Sequence, residues 1–180
     1  FYAGLRDYKE NHAFSSPAYL ESRMGFKYKN ATDYSDMKGG VTYSWKWGSI
    51  GFIKDQFIWG TNYNGSNIFS GRAPSFAQIR MKMNPVKWFE FNYVHAWLIS
   101  EVADSNSRVY NGNIFLNRPK FLTANMFTFH PVRNVSLSFG NSIIYYDHDY
   151  PGYVIPMFFF KSLAHTNSVN GETVNAQLFF

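Results

Sequence analysis

The densest chemistry in this chain lies between Ser75 and Trp97. Gln78, Arg80, Lys82 and Asn84 recur at every second position, and Glu90 and Asn92 follow beyond a corner at Pro85. Cations, a carboxylate and amides in one row can hold an anionic glycan by charge-assisted hydrogen bonds or select ions. The same row can also satisfy itself, with Arg80 and Lys82 pairing with Glu90. Sugar sites more often use aromatic platforms beside amides. Trp59, Tyr63, Asn64 and Asn67 offer that in one polar stretch, and Tyr110, Asn111 and Asn113 in another; local packing is the plainer use of such aromatics. Asp147-His148-Asp149 carries metal-binding residue types, but adjacent side chains rarely all reach one ion. It reads as a solvated loop, and no metal or cofactor is expected. The five histidines lie in separate segments without a nucleophile motif such as GxSxG, which argues against an enzyme. His95, alone among aromatics, reads as a hydrogen-bonded structural residue.

The elements that position these residues are strands. Side chains alternate across a strand, so Ala77, Ile79, Met81 and Met83 oppose the row from Gln78 to Asn84, and Phe89, Phe91, Tyr93 and Trp97 oppose Glu90 and Asn92. The two limbs form an antiparallel hairpin with an oily face and a charged face. Alternation recurs over Tyr19–Lys29, where Glu21, Arg23, Lys27 and Lys29 share a face, and over Gly40–Trp47, which adds Lys46. Strands are expected too over Ile50–Trp59, Pro119–Phe129, Val135–Tyr146 and Thr173–Phe180. Loops are expected at Asn30–Gly39, Gly60–Pro74, Glu101–Arg118 and Asp147–Glu172, and tight turns at Gly48-Ser49, Asn84–Lys87 and His130–Asn134. Pro85-Val86-Lys87 recurs as Pro131-Val132-Arg133, each between two strands. From Gly48 onward short and long connections alternate, the layout of an outer-membrane barrel.

Composition agrees with that layout. Aromatic residues make up 21% of the 180 residues and charged ones only 16%, yet the mean hydropathy is −0.29. Such a chain places half its strand residues against lipid and half against water. It lacks cysteine, so it has no disulfide framework or thiolate site. It lacks any apolar run long enough for a membrane helix. The net charge of +5 comes without a dense basic cluster, so no nucleic-acid partner is expected. The expectation is an all-β, antiparallel up-and-down transmembrane β-barrel of about eight strands, with residues 1–180 an incomplete portion of a single barrel domain. A soluble β-sandwich also alternates, but would not explain the connection lengths.

Residues 45–60 (WKWGSIGFIKDQFIWG), 70–97 (SGRAPSFAQIRMKMNPVKWFEFNYVHAW), 120–145 (KFLTANMFTFHPVRNVSLSFGNSIIY) and 154–180 (VIPMFFFKSLAHTNSVNGETVNAQLFF), in this order and spacing, resemble the Wzi-type capsule-assembly family of outer-membrane barrels in its Bacteroidetes-like form. The resemblance implies a Gram-negative outer-membrane location and a lectin-like role in attaching acidic capsular polysaccharide to the cell surface. The implied partners are outer-membrane lipid, that polysaccharide and other outer-membrane proteins. Members are larger barrels. The family usually carries a Glu before Ser-Ile-Ile-Tyr where this chain has Asn141, which joins Gln78, Arg80, Lys82, Glu90, Asn92, Trp59 and Tyr63 as a candidate ligand residue. Asn141 falls on the apolar parity of its strand, so a bulge is expected near it. The alternative function is an outer-membrane channel, or an accessory subunit of a secretion or gliding complex.

Overall fold

The computed structural model describes residues 2–11, 26–28, 31–60, 66, 68–71, 73, 75–98, 100, 102–109, 114–162 and 175–180. Its strands are β1 (Tyr2–Asn11), β2 (Phe26–Tyr28), β3 (Ala31–Trp45), β4 (Gly48–Asp55), β5 (Ile58–Trp59), β6 (Phe69–Ser70), β7 (Phe76–Val86), β8 (Phe89–Leu98), β9 (Ala103–Val109), β10 (Ile114–Asn117), β11 (Lys120–Val132), β12 (Val135–Tyr146) and β13 (Asn175–Phe179), with a short 3-10 turn at Pro151–Val154. The protein is all-β and antiparallel in every ladder described here. The main sheet runs β1-β3-β4-β7-β8-β11-β12-β13, with β2 also on β3; β9 pairs with β10 and β5 with β6 in two small ladders. No closed barrel is seen among the described residues. None of their helices is long and apolar enough to cross a membrane.

The chain divides into two compact units. The first comprises residues 1–41 and 52–77. In it β1 and β3 form a ladder from Tyr2↔Gly40 to Asn11↔Ala31, and β2 meets the start of β3 from Phe26↔Asp33 to Tyr28↔Ala31. Residues 31–39 are therefore strand, not the expected loop. Their Asp, Ser and Gly content has low β propensity, but the ladder draws on backbone groups that every residue supplies. Only the end of the expected Tyr19–Lys29 strand is described, as β2; residues 19–25, 29 and 30 lie outside the described residues. Near the end of β4, Lys38 Nζ donates to Gln56 Oε1 at 3.0 Å and lies 3.4 Å from Asp55 Oδ1.

The second unit comprises residues 42–51 and 78–180. Its ladders are continuous: β8 meets β11 from Leu98↔Lys120 to Phe89↔Phe129, and β11 meets β12 from Lys120↔Tyr146 to Phe129↔Leu137. The three tight turns fall at Lys46-Trp47, Lys87-Trp88 and Arg133-Asn134: the third lies within the expected His130–Asn134, the second begins at the last residue of the expected Asn84–Lys87, and the first precedes the expected Gly48-Ser49. Gly48 begins β4 instead of making the turn; a Cβ there would lie 2.6 Å from the Trp45 ring and 2.8 Å from the Lys82 carbonyl oxygen. Pro85 and Val86 end β7, while Pro131 and Val132 end β11. The β11–β12 register shifts between Phe129 and Val132, which is where a proline without an N–H is tolerated. Asn134 supplies the left-handed turn residue at φ 69. The repeated Pro-Val-basic triplet thus closes two strands in the same way, its basic residue opening the turn. Glu101–Arg118, expected as loop, contains the β9–β10 hairpin; its Asp, Ser and Asn residues concealed it.

Register fixes the faces of this unit. One face carries Phe89, Phe91, Tyr93, His95 and Trp97 of β8. Opposite them on β11 lie Phe129, Phe127, Asn125, Thr123 and Phe121, and β12 adds Leu137, Phe139, Asn141, Ile143 and Tyr145. At the turn end this face is a phenylalanine cluster, with Phe129 and Phe139 stacked at 5.8 Å and Phe127 and Phe139 at 5.4 Å. At the other end it is the floor of a core. Phe91, Tyr93, Phe121, Ile143 and Tyr145 are buried there with Tyr153 and Phe160, which belong to the segment after β12. The opposite face changes character in the reverse sense. It carries Glu90, Asn92, Thr128 and Ser138 near the turns and Val94, Ala96, Leu122 and Ala124 at the far end. The oily parity of β8 therefore does not stay free along its length: its far half is covered by the protein's own chain.

Candidate functional site

Two constellations in the second unit merit a functional reading. The first is the charged row. Lys82 Nζ lies 3.1 Å from Glu90 Oε2, Asn92 Nδ2 donates to Glu90 Oε1 at 2.7 Å, and Arg80 Nε donates to Gln78 Oε1 at 2.8 Å. Gln78 is fully buried; Lys82 remains half exposed. The expected pairing holds for Lys82 with Glu90, while Arg80 turns along its own strand to Gln78. An ion pair as exposed as Lys82–Glu90 contributes about 0–1 kcal/mol, so an incoming anion could recruit Lys82 at small cost.

At the turn end this row opens into a cleft of about 610 Å³. Its lining includes Lys46 and Trp47 of the first turn, Lys87 of the second, and Phe89, Glu90 and His130. Neighbouring turns are tied by the backbone: Asn84 N–H donates to Trp47 O at 2.7 Å and His130 N–H to Trp88 O at 2.8 Å. Lys46 and Lys87 were not singled out together from sequence, because only the ladder brings the two turns side by side. The recurrence of a basic residue in each turn was the available signal.

The second constellation holds the segment after β12 to the sheet. His95 is fully buried; its Nδ1 lies 2.9 Å from Thr123 Oγ1 and its Nε2 3.1 Å from Asp149 Oδ2. We assign the proton to Nε2: the neutral ring then donates to Asp149 and accepts the Thr123 hydroxyl, leaving no group unpaired. Tyr145 Oη donates to the other Asp149 oxygen at 2.7 Å. Hydroxyl, imidazole and carboxylate follow the order of a hydrolytic triad, but Thr123 and His95 are fully buried and expose no reacting atom in this arrangement. They act as a clasp. Asp147 adds a bidentate pair with Arg118. That hydrogen bond from Arg118 holds the Asp147 carboxyl below the usual carboxylate range. Asp147 and Asp149 of the Asp147-His148-Asp149 triplet are thus engaged by Arg118, His95 and Tyr145, and no group of three or more metal-ligand residues occurs among the described residues.

Asn141 belongs to this clasp. Asn125 Nδ2 donates to both Pro156 O and Phe158 O at 2.9 Å, Asn141 Nδ2 donates to Asn125 Oδ1 at 2.7 Å, and Phe160 N–H donates to Asn141 Oδ1 at 3.0 Å. The two amides pair directly across the ladder as Asn125↔Asn141 without a register break. No bulge forms there because the polar side chain meets a partner strand and a docked backbone instead of an apolar surface. Sequence alone makes Asn125 and Thr123 only the polar side of a strand; their role needs the register. Trp59 lies in the first unit, packed against Phe57 at 4.8 Å and Phe69 at 5.9 Å, a local aromatic cluster. Tyr63, Asn64, Asn67, Tyr110, Asn111 and Asn113 lie outside the described residues.

No family model matches the chain, and neither curated proteins nor solved structures match it.

Proposed function

We propose that this chain is part of a non-enzymatic outer-membrane β-barrel that binds or organises acidic surface polysaccharide. The observation that carries the membrane reading is a belt of exposed apolar and aromatic side chains gathered at all three tight turns. Tyr43 is 70% exposed beside the first, Trp88 56% at the second and Leu137 60% beyond the third, with Trp47, Ile50, Val132, Val135 and Phe139 between them. Water disfavours so many exposed large apolar side chains near the turns, whereas lipid with its interfacial Trp and Tyr suits them. The polysaccharide reading draws on the family resemblance and on the cationic row of Arg80 and Lys82; the half-exposed Lys82 pairs weakly enough with Glu90 to exchange it for an anionic ligand.

Two measurements test the halves separately. The purified protein is expected to need detergent or bilayer to stay monodisperse; a stable detergent-free monomer would refute the membrane reading. It is expected to retain acidic polysaccharide on a glycan array, with R80A and K82A each lowering retention. Absence of retention, or retention indifferent to both substitutions, would refute the glycan reading. Single-channel recordings showing steady conductance would favour an open channel instead.

A further inference from the structure

We propose that the cleft at the turn end of the second unit binds the phosphate of an anionic glycerophospholipid; this rests on the membrane reading above. Lys46 and Lys87 enter the cleft from two successive turns, and neither has an ion-pair partner among the described residues. The lining carboxylate, Glu90, is already occupied by Lys82 and Asn92, which leaves the cleft cationic. His130 Nδ1 is engaged by Ser136 Oγ at 2.9 Å. With the hydroxyl donating, Nε2 carries the proton and can donate to an anion. Two ammonium groups and an imidazole N–H form a phosphate-binding set.

The walls identify the rest of the ligand. Trp47, Val86 and Phe89 make part of the cleft apolar; Trp47 and Val86 are themselves exposed, as is Trp88 next to Lys87 in the chain. A free inorganic anion gains nothing from those walls. A phosphate carrying acyl chains does, because its chains can follow the exposed apolar surface while the head group stays with the lysines. Lys-Trp occurs in both turns, Lys46-Trp47 and Lys87-Trp88, and this pair of residue types suits the head-group level of a bilayer.

The test places the protein in nanodiscs of phosphatidylcholine and phosphatidylglycerol, with bromine on the acyl chains of one lipid or the other. With Trp59 and Trp97 replaced by Phe, quenching of the remaining tryptophans, Trp45, Trp47 and Trp88, reports which lipid sits against the turn end. Phosphatidylglycerol is expected to quench preferentially. K46A and K87A are each expected to cut that preference roughly fivefold, the weight of one lysine beside an anionic lipid surface, and the double variant to abolish it. K46R/K87R is expected to retain it. Equal quenching by the two lipids, or a preference indifferent to the double variant, would overturn the site while leaving the membrane reading intact. Quenching by neither would overturn both. Complete loss of the preference to inorganic phosphate at constant ionic strength would show a phosphate site and overturn the lipid assignment.

Discussion

Replacing Asn125 by Leu tests the clasp at its centre. The native amide uses both Nδ2 hydrogens, on Pro156 O and Phe158 O, and its Oδ1 accepts from Asn141. Leucine matches the volume and removes these bonds together with the longer one that Oδ1 accepts from the Asn141 N–H. Each buried polar group left unpaired costs about 1–3 kcal/mol. The total cannot exceed what holds the segment down, because the carbonyls can regain water by lifting away. Burial of Tyr153 and Phe160 supplies about 1.5–3 kcal/mol each. The balance predicts docking weakened by about 3–4 kcal/mol, which raises the open population roughly 10²- to 10³-fold. Hydrogen exchange at the Phe160 amide, which donates to Asn141 Oδ1, reads this directly. The β11–β12 ladder amides serve as the control and are expected to change little. N125D keeps the acceptor for Asn141 but faces two carbonyl oxygens with a carboxylate, so it is expected to be at least as disruptive. Phe160 exchange within about threefold of wild type in N125L, a fraction of one 1.4 kcal/mol tenfold step, would refute the argument.

Asn141→Glu, the residue usual in the resembled family, is expected to accelerate Phe160 exchange, because a carboxylate can accept from Phe160 N–H but cannot donate to Asn125 Oδ1. Acid is expected to loosen the start of the docked segment. The Asp147 carboxyl titrates below its ordinary value of 3.8 because of Arg118, so its contribution is complete above that value and fades as pH falls through the lower, folded one; a D147N variant should lose this step in a pH series of limited proteolysis. Gly140→Ala is expected to lower stability by about 1–3 kcal/mol in chemical denaturation, since a Cβ would lie 2.2 Å from Asn125 O and 2.4 Å from the Phe179 ring. Lys82→Ala is expected to change stability by less than about 1 kcal/mol, measured the same way.

The identity of β7, β8, β11 and β12 was legible because their side chains alternate: Val135–Tyr146 has the bounds expected, and the β7–β8 and β11–β12 hairpins exist where the Pro-Val-basic triplets stand. Turn positions were less legible. Proline signals the end of pairing, and both prolines sit just inside strand ends, each with one valine between it and the turn. Residues 31–39 and the β9–β10 hairpin were illegible because polar strands hold together through a partner's backbone, which a single segment does not reveal. Of the candidate site, the pairing of Lys82 with Glu90 followed from shared parity, whereas the meeting of Lys46 with Lys87 depends on which turns become neighbours.

The deeper lesson lies in the polar residues that interrupt the aromatic parity. Tyr93, His95, Thr123, Asn125, Asn141 and Tyr145 share one face at the end away from the turns, and buried amides and an imidazole have no partners to find in lipid. Each is explained by something from residues 149–160 or by its cross-strand neighbour: Tyr93 Oη donates to Tyr153 O at 3.0 Å, His95 and Tyr145 share Asp149, and the two asparagines hold the backbone from Pro156 to Phe160. A sheet surface destined for its own chain must supply partners for that chain's backbone, since buried carbonyls and amides are rarely left unpaired. A lipid-facing surface has no such obligation. Amides and hydroxyls on the oily parity therefore divide β8, β11 and β12 into a half that carries the exposed belt and a half that carries the docked segment, and that division is written in the alternation once the register is known.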